Sequence, residues 1–544
     1  MKEEKKSKFR CIDLYSGMGG WALGFKMAGI NVVSSYEIWE PAASTQKLNL
    51  GGNVDQIDIR NLNFSDLPKS INLVVGSPPC TQFSLANRGG KGNISEGMKD
   101  IYKFLEIVEF ISPKYWLMEN VPRVAKILEK AVASGGELQR FREIIDNIHI
   151  VDCSDYGLPQ RRKRMLAGSF PFQNLEKFSK YSEKKNLKDV ISSLSGNKIK
   201  DPNYAFSIDK KDLYDHDFED YLSPEEFRLN KESKTYHRVY NLMTFPEPYD
   251  KPSRTIAATE SRVVRESLII NDDSGYRRLS NRERATLQGF PITYQFNANS
   301  YSARQKMIGN AIPPLLTYYI GCAINNWGEK KSKKVKELFE HKLPKEIPLK
   351  STKRGSKNSY SKKRRFRSAI PNLRFGSGVR FELANVFQKE SNKVCWEVSF
   401  YYGKPKDYKK VTPAKNIKKF LLDYLETNPN SIPKDSCKNI EDQFLKFTSA
   451  DMQNRWNHSV KTGKSPFELC DLMGDLFKKI SSSSNSLPNI ADWKSFTKKL
   501  GKVTEFSEDY FSWKKHQEYN KDVILGILIA SLYNSTTTFE KIIL

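Results

Sequence analysis

Over residues 9–170, short apolar runs alternate with longer stretches of helical periodicity. The runs FRCIDLYS, NVVSSYEI, INLVVGS, KYWLMENV and MLAGSF read as buried strands, because consecutive apolar positions bounded by turn residues fit a strand covered on both faces. Between them, segments such as WALGFKMAG and IYKFLEIVEFI put apolar residues three and four apart, the spacing of one helix face. Strand and helix in alternation predict an α/β domain with a mainly parallel sheet and helices on both faces. The pattern is lost over 171–251, a charged and aromatic stretch, and resumes over 252–327, where SRTIAATESRVV (253–264) reads as a strand leading back into the core.

A second region of pattern begins at Ala369. GVRFELANVF and KVCWEVSFYYGKP read as a hairpin. In the second strand Val394, Trp396, Val398, Phe400 and Tyr402 alternate with Cys395, Glu397, Ser399 and Tyr401. NIKKFLLDYLE (416–426) has helical spacing, and VILGILIASLY (523–533) is too short to span a bilayer and reads as a core helix. Residues 369–544 are therefore expected to form an α+β accessory domain that binds DNA or a partner. A fused nuclease is the other candidate, but Asp492-Trp493-Lys494 has no upstream acidic partner and NRWNHS (454–459) imitates a nuclease motif poorly.

Charge changes the picture. The chain of 544 residues carries a formal net charge of +26. Residues 328–368 read as a basic linker, and 330–367 alone hold sixteen Lys or Arg against three Glu. A balance this basic expects a polyanionic partner, nucleic acid first. Seven cysteines without a CxxC or a zinc-spaced His/Cys cluster read as free thiols in a reducing compartment, with no metal site. The N-terminus leads straight into a strand with no signal-peptide pattern.

Candidate chemistry lies at the strand ends. CIDLYSGMGG (11–20) is a strand, a glycine turn and a helix start, where Gly17, Gly19 and Gly20 let a ligand approach free N–H groups. Glu37, at the end of the second run, can hold ribose hydroxyls, and Asp58 can meet an adenine amino group. That series fits a nucleoside-bearing cofactor, either a dinucleotide or S-adenosylmethionine. Cys80 follows INLVVG on a stiff Pro78–Pro79 support, the rigid setting a nucleophilic thiol needs along with a lowered pKa or an activating neighbour. Glu119 and Asn120 end another strand, and Arg162 and Arg164 lie two apart on one side of an extended segment.

In order along the chain, DLYSGMGG, SPPCTQFS, ENV, QRRKR, RRLSNRERATLQGFP and GNAIPPLLTYYIG resemble the cofactor loop, nucleophile loop, acid motif, arginine motif, late helix and closing helix of the cytosine-C5 DNA methyltransferases. The resemblance covers residues 9–170 and 252–325. It implies a class I methyltransferase fold, a Rossmann-like mixed sheet with helices on both faces, with a target-recognition insert over 171–251. It implies S-adenosylmethionine as donor, held by Tyr15, Gly17, Gly19, Glu37, Ile38, Asp58, Ile59, Pro79 and Asn310. It implies Cys80 as the thiolate that attacks cytosine C6, Glu119 as the acid at N3, and Arg162 and Arg164 as braces for the base carbonyl and catalytic loop. The glycine-rich stretch 84–97 is expected to act as a lid over a base flipped from the duplex. Two departures stand out: Thr81 follows the cysteine where the family usually has Gln, which comes next as Gln82, and Ile38 follows Glu37 where many members have Trp, which comes next as Trp39. The partner implied is double-stranded DNA, met as a monomer in a bacterial cytoplasm and nucleoid, with a restriction or defence protein as a further partner and no membrane. A tRNA-directed enzyme on the same core is the alternative.

Overall fold

The computed structural model describes residues 8–83, 93–145, 147–213, 217–235, 243–259, 265–345, 352–353, 363–375, 378–388, 392–403, 408–413, 415–426, 432–457, 463–482, 499, 520–537 and 540–541. The chain divides into two units, Met1–Tyr236 with Leu242–Gly355, and His237–Asn241 with Ser356–Leu544.

The first unit is built on seven strands: β1 (Arg10–Leu14), β2 (Asn31–Glu37), β3 (Val54–Gln56), β4 (Leu73–Gly76), β5 (Tyr115–Asn120), β6 (Asn147–Asp152) and β7 (Lys163–Ser169). Their order is β3-β2-β1-β4-β5-β7-β6. Neighbours are parallel from β3 to β5, and β7 runs antiparallel to both β5 and β6. This is the mixed sheet that the resemblance implies. The strand order reverses at β1, whose neighbours are β2 and β4, so a crevice opens beyond the carboxyl ends of β1 and β4.

Among the described residues, eleven α-helices of this unit follow in chain order: α1 (Gly20–Met27), α2 (Glu40–Leu50), α3 (Ile94–Ile111), α4 (Arg123–Val132), α5 (Phe172–Ser179), α6 (Leu187–Ser193), α7 (Pro224–Thr235), α8 (Asn281–Leu287), α9 (Tyr301–Asn310), α10 (Pro314–Ile324) and α11 (Glu329–Glu337). Period-two alternation along the strands divides the core into two layers. Cys11, Leu73, Val75 and Leu117 pack with Trp21 and Phe25 of α1, Leu315 and Ile320 of α10, and Leu175 and Phe178 of α5. Ile12, Leu14, Val74 and Met118 pack with Ile101, Phe104 and Leu105 of α3 and with Leu128 of α4. Each such side chain, fully buried, stabilises the fold by roughly 1.5–3 kcal/mol. Local signals set the helix starts: Asn93 caps α3 by accepting from Glu96 N, and Ser280 with Glu283 forms a capping box for α8.

Three expectations are corrected. The stretch 171–251 does not stand apart as an insert from its first residue, because α5 lays Leu175 and Phe178 onto the core, with Phe178 5.2 Å from Tyr319. Further on, Asn203 Nδ2 donates to Thr286 O, Tyr204 OH donates to Gly289 O, and buried Arg278 pairs with Glu219. The basic stretch from 328 does not begin as a linker. α11 turns Ser332 and Val335 inward, Tyr318 OH donates to Ser332 O at 2.6 Å, and buried His341 meets Thr293. The lysines of α11 hide a one-sided pattern that composition alone does not reveal. Residues 253–259 form no strand: only Gln160 and Ser253 make an isolated bridge. The rest of that expected strand, 260–264, lies outside the described residues, as does 84–92 of the expected lid.

The second unit holds a five-stranded antiparallel sheet of Arg367–Phe375, Val379–Phe387, Lys393–Tyr402, Lys409–Val411 and Glu540–Lys541. Its packing starts before the expected boundary at Ala369, because Phe366 is buried among Trp396, Trp456 and Phe467. The alternation in Lys393–Tyr402 does not separate a wet face from a dry one: Cys395, Ser399 and Tyr401 are buried along with Val394, Trp396 and Phe400. The last helix, Asn520–Thr536, is buried from Val523 to Tyr533, as a core helix should be. Asp492-Trp493-Lys494 lies outside the described residues. Among the described residues, no group of three His, Cys, Asp or Glu is arranged to hold a metal ion. One stretch, Tyr301–Ile324, is long and apolar enough to cross a membrane, but it comprises α9 and α10 and is 94% buried within the fold.

Candidate active site

At the carboxyl ends of β1, β2, β4 and β5 the chain leaves a solvent-open cleft. Tyr15, Gly17, Glu37, Ile38, Pro79, Cys80, Glu119, Arg164 and Asn310 all line it. Residues spread from 15 to 310 thus meet at one site, because they lie at strand or helix ends or in the loops next to them at the sheet's topological switch.

On the β1–β2 side, Tyr15 and Gly17 both have φ of 57°, the left-handed region, which turns the backbone sharply after β1. A Cβ at Gly17 would meet nothing within 4 Å, so the space beside this turn is open. Glu37 accepts from Gly17 N through Oε2 and from Trp39 N through Oε1, each at 2.8 Å. Burial raises the Glu37 pKa, and the backbone N–H groups of Trp39, Gly17 and Ile38 work against that rise. A carboxylate offers about four lone-pair sites, so these backbone donors leave Glu37 some accepting capacity. Ile38 is 59% exposed and offers an apolar surface, whereas Trp39 lies under Lys306 Nζ at 4.6 Å. Both Ile38 and Trp39 line the cleft.

On the β4–β5 side, the loop after Gly76 is pinned from two directions. Ser77 N donates to Leu14 O, and Asn120 Nδ2 donates to Pro78 O at 3.0 Å. Asn120 therefore supports the nucleophile loop while its neighbour Glu119 faces the cleft. Arg164 Nε lies 2.8 Å from Glu119 Oε1, with both side chains buried. Cys80 is half-buried. Burial pushes its thiol above the ordinary 9.0; Arg164 pulls it down and Glu119 pushes it up. The net shift is upward, opposite to the lowered pKa expected of a nucleophilic cysteine. Gln82 Oε1 accepts from Asn93 N at 2.8 Å, which gives the displaced Gln a structural task.

Four expected site residues do not line the cleft. Arg162 is 1% exposed, and its guanidinium donates to the carbonyls of Ile256, Gly309 and Ala311 at 3.3, 2.8 and 3.1 Å. Burial, then repulsion from Arg164, pushes its pKa down to about 9. It therefore holds the segment carrying Asn310 rather than bracing a base. Gly19 caps α1 with φ of 91° and backs onto Gln46. Asp58 Oδ1 accepts from Arg60 N, and Ile59 is buried behind the cleft wall.

Several contributors went unread in the sequence. Ser16, Met18, Ser77, Val121, Met307 and Ile312 also line the cleft. Gln160 and Gln288 form a buried amide chain, with Gln160 Nε2 donating to Gln288 Oε1 and Gln288 Nε2 to Ala311 O. Gln160 stands inside QRRKR, but nothing in that string separates a buried amide from a surface one.

Residues 9–326 match the family profile described as C-5 cytosine-specific DNA methylase. The type II methyltransferase M.HindV of Haemophilus influenzae is 32% identical over 338 residues, covering 58% of this chain and 97% of that protein. M.FnuDI of Fusobacterium nucleatum is 29% identical over 359 residues, covering 61% of this chain and 99% of that protein. M.NgoPII of Neisseria gonorrhoeae is 26% identical over 332 residues, with 58% and 95% covered.

Proposed function

This chain belongs to the C-5 cytosine-specific DNA methylases, and from that premise we propose that it methylates C5 of a cytosine flipped out of a specific double-stranded DNA sequence, with Cys80 as nucleophile. The observation that carries the proposal is that Cys80, Glu119 and Arg164 line one cleft with Tyr15, Glu37 and Asn310.

The cofactor the family implies is S-adenosylmethionine, which when bound supplies an electrophilic methyl group. The residues fit it. Glu37 has lone pairs for ribose hydroxyls, Tyr15 and Ile38 offer apolar surface to a purine, and the glycine turn leaves room at Gly17. Pro79 and Asn310 complete the wall, and Asp58 with Ile59 would reach the adenine edge from beyond it.

The chain's own residues then act on the base. Extrusion from the duplex costs roughly a few kcal/mol. The Cys80 thiol gives up its proton and its sulfur bonds to C6, while the Glu119 carboxyl hydrogen-bonds N3. Electron density gathers at C5, which becomes the nucleophile a methyl transfer requires. Once C5 carries the methyl group, its proton passes, like the one that Cys80 gave up, to solvent water, and the C6–S bond breaks with its electron pair returning to sulfur, which restores the aromatic ring and frees Cys80. Arg164 orients Glu119 and favours the thiolate.

Marking host DNA within a restriction-modification or phage-defence system is the biological role most consistent with type II relatives. Residues 369–544 would serve as a DNA- or partner-binding module. The test is methylation sequencing of a methyl-free plasmid incubated with protein and S-adenosylmethionine, with Cys80→Ala in parallel. Methyl-cytosine in one short context, absent with the variant, is the expected result. Methylation by Cys80→Ala would overturn the role given to that thiol.

A further inference from the structure

A charge cluster behind the cleft joins segments that wall it on two sides. Arg60 follows Asp58 and Ile59 in the chain. Its Nε and Nη2 donate to the two oxygens of Asp100 at 2.9 and 2.8 Å, a bidentate pair. Its Nη1 donates to Glu96 Oε1 at 2.5 Å, and Nη2 also donates to the Glu96 carbonyl at 3.1 Å. Asp100 further accepts, through its carbonyl, from Tyr15 OH at 3.2 Å. The Asp100 side chain is 11% exposed and that of Arg60 35%, so the pair is buried at its carboxylate end.

Glu96 and Asp100 lie on the first turns of α3, and those turns hold the nucleophile segment. Asn93, the cap of α3, donates through its backbone N–H to Gln82 Oε1. Gly97 sits so close to the ring of Phe83 that a Cβ there would lie 2.6 Å from it. Gln82 and Phe83 are two and three residues past Cys80. One guanidinium therefore stands between Tyr15 and Asp58 on the cofactor side and the anchor of the Cys80 segment on the other.

We propose that Arg60 is a positioning residue that couples the cofactor pocket to the nucleophile segment through Asp100 and Glu96. The inference rests on the assignment of Tyr15, Glu37 and Asp58 to S-adenosylmethionine made above. Filling the pocket steadies Tyr15 and the Asp58 turn; Arg60 passes that order to the first turns of α3, and thence to Gln82. Linkage makes the coupling reciprocal: a base held at Cys80 tightens cofactor binding by the same factor.

The experiment measures S-adenosylmethionine binding by calorimetry, and amide hydrogen exchange over residues 94–100 with and without it, in the full chain. Wild type, Arg60→Gln, Arg60→Lys, Glu96→Gln and Glu37→Ala are compared. Arg60→Gln is expected to weaken binding roughly tenfold and to lose the slowing of exchange over 94–100 that the cofactor produces in wild type. Arg60→Lys, a point charge without the fork, should recover only part of both. Glu96→Gln, a half-exposed change that leaves the fold alone, should diminish the exchange response if Arg60→Gln proves too unstable to measure. Weakened binding in Glu37→Ala with wild-type binding and exchange in both Arg60→Gln and Glu96→Gln would overturn this inference alone. Wild-type binding in Glu37→Ala would overturn the cofactor assignment, and the inference with it.

Discussion

Cys80 and Cys153 sit near the same arginines, and burial raises both thiols, Cys153 to about 12. Only Cys80 lines the cleft; Cys153 is fully buried in the core. Position on the fold, not thiol chemistry, separates the proposed nucleophile from a core thiol. Because the free Cys80 thiol is held above its ordinary value, adduct formation should quicken with rising pH between about 6.5 and 8.5. Arg164→Ala removes the charge that lowers it and should move that limb to higher pH. Trapping of Cys80 on a 5-fluorocytosine duplex across pH checks both, and a flat profile would count against the assignment. Glu119→Gln should slow trapping on the order of 10²–10⁴-fold. Asp13 gives a stability test. It is fully buried, neither carboxylate oxygen has a partner among the described residues, and burial, then Glu37, raises its pKa well above 3.8. The folded state therefore holds the proton more tightly than the unfolded state, so Asp13 costs stability as pH rises above its unfolded value, until the folded group also ionises. Asp13→Asn should remove that loss and gain on the order of 1 kcal/mol at pH 7, read by urea melts at pH 5 and 8.

At the scale of elements, the closing helix α10 meets α1 across two glycines. Thr317 Oγ1 donates to Gly20 O at 2.8 Å, and a Cβ on Gly24 would fall 2.0 Å from that same Oγ1. This close approach brings Ala311 and Ile312 to the cleft. Gly24→Ala should cost about 1–3 kcal/mol by thermal melting and weaken cofactor binding, since the helices must part. The β7 leader shows how element and residue interact. Arg162 and Arg164 share a side of the chain, as their spacing predicts, yet one ends in the core and the other in the cleft. Strand spacing gives the side; only the packing of 256 and 309–311 over β7 gives the depth. The buried apolar runs were legible because their causes are local. The short packing contacts of α5 and α11 were not, since each shows few apolar residues and needs the neighbouring helix α10 to reveal its inner face.

For the molecule as a whole, the +26 charge predicts binding to DNA that falls steeply with salt. If six to ten phosphates are neutralised, affinity should drop roughly 10³–10⁵-fold between 50 and 200 mM salt, measured by fluorescence anisotropy on a short duplex. A shallow slope would mean that the basic stretch beyond 328 serves something other than the DNA backbone.

Five of the seven strands, the helix faces between them, the order of the motifs and the family were determined by the sequence itself, because strand runs, helix faces and glycine turns are written in neighbouring residues. It also named nine of the residues that line the cleft, since loops that follow strands at a topological switch converge. The tertiary structure alone decided which of those residues face the cleft. Arg162, Gly19, Asp58 and Ile59 fall behind its wall, while Ser16, Met307 and Ile312 fall on it. Depth is fixed by contacts between segments hundreds of residues apart, such as Arg162 with Gly309, and no local pattern carries that information.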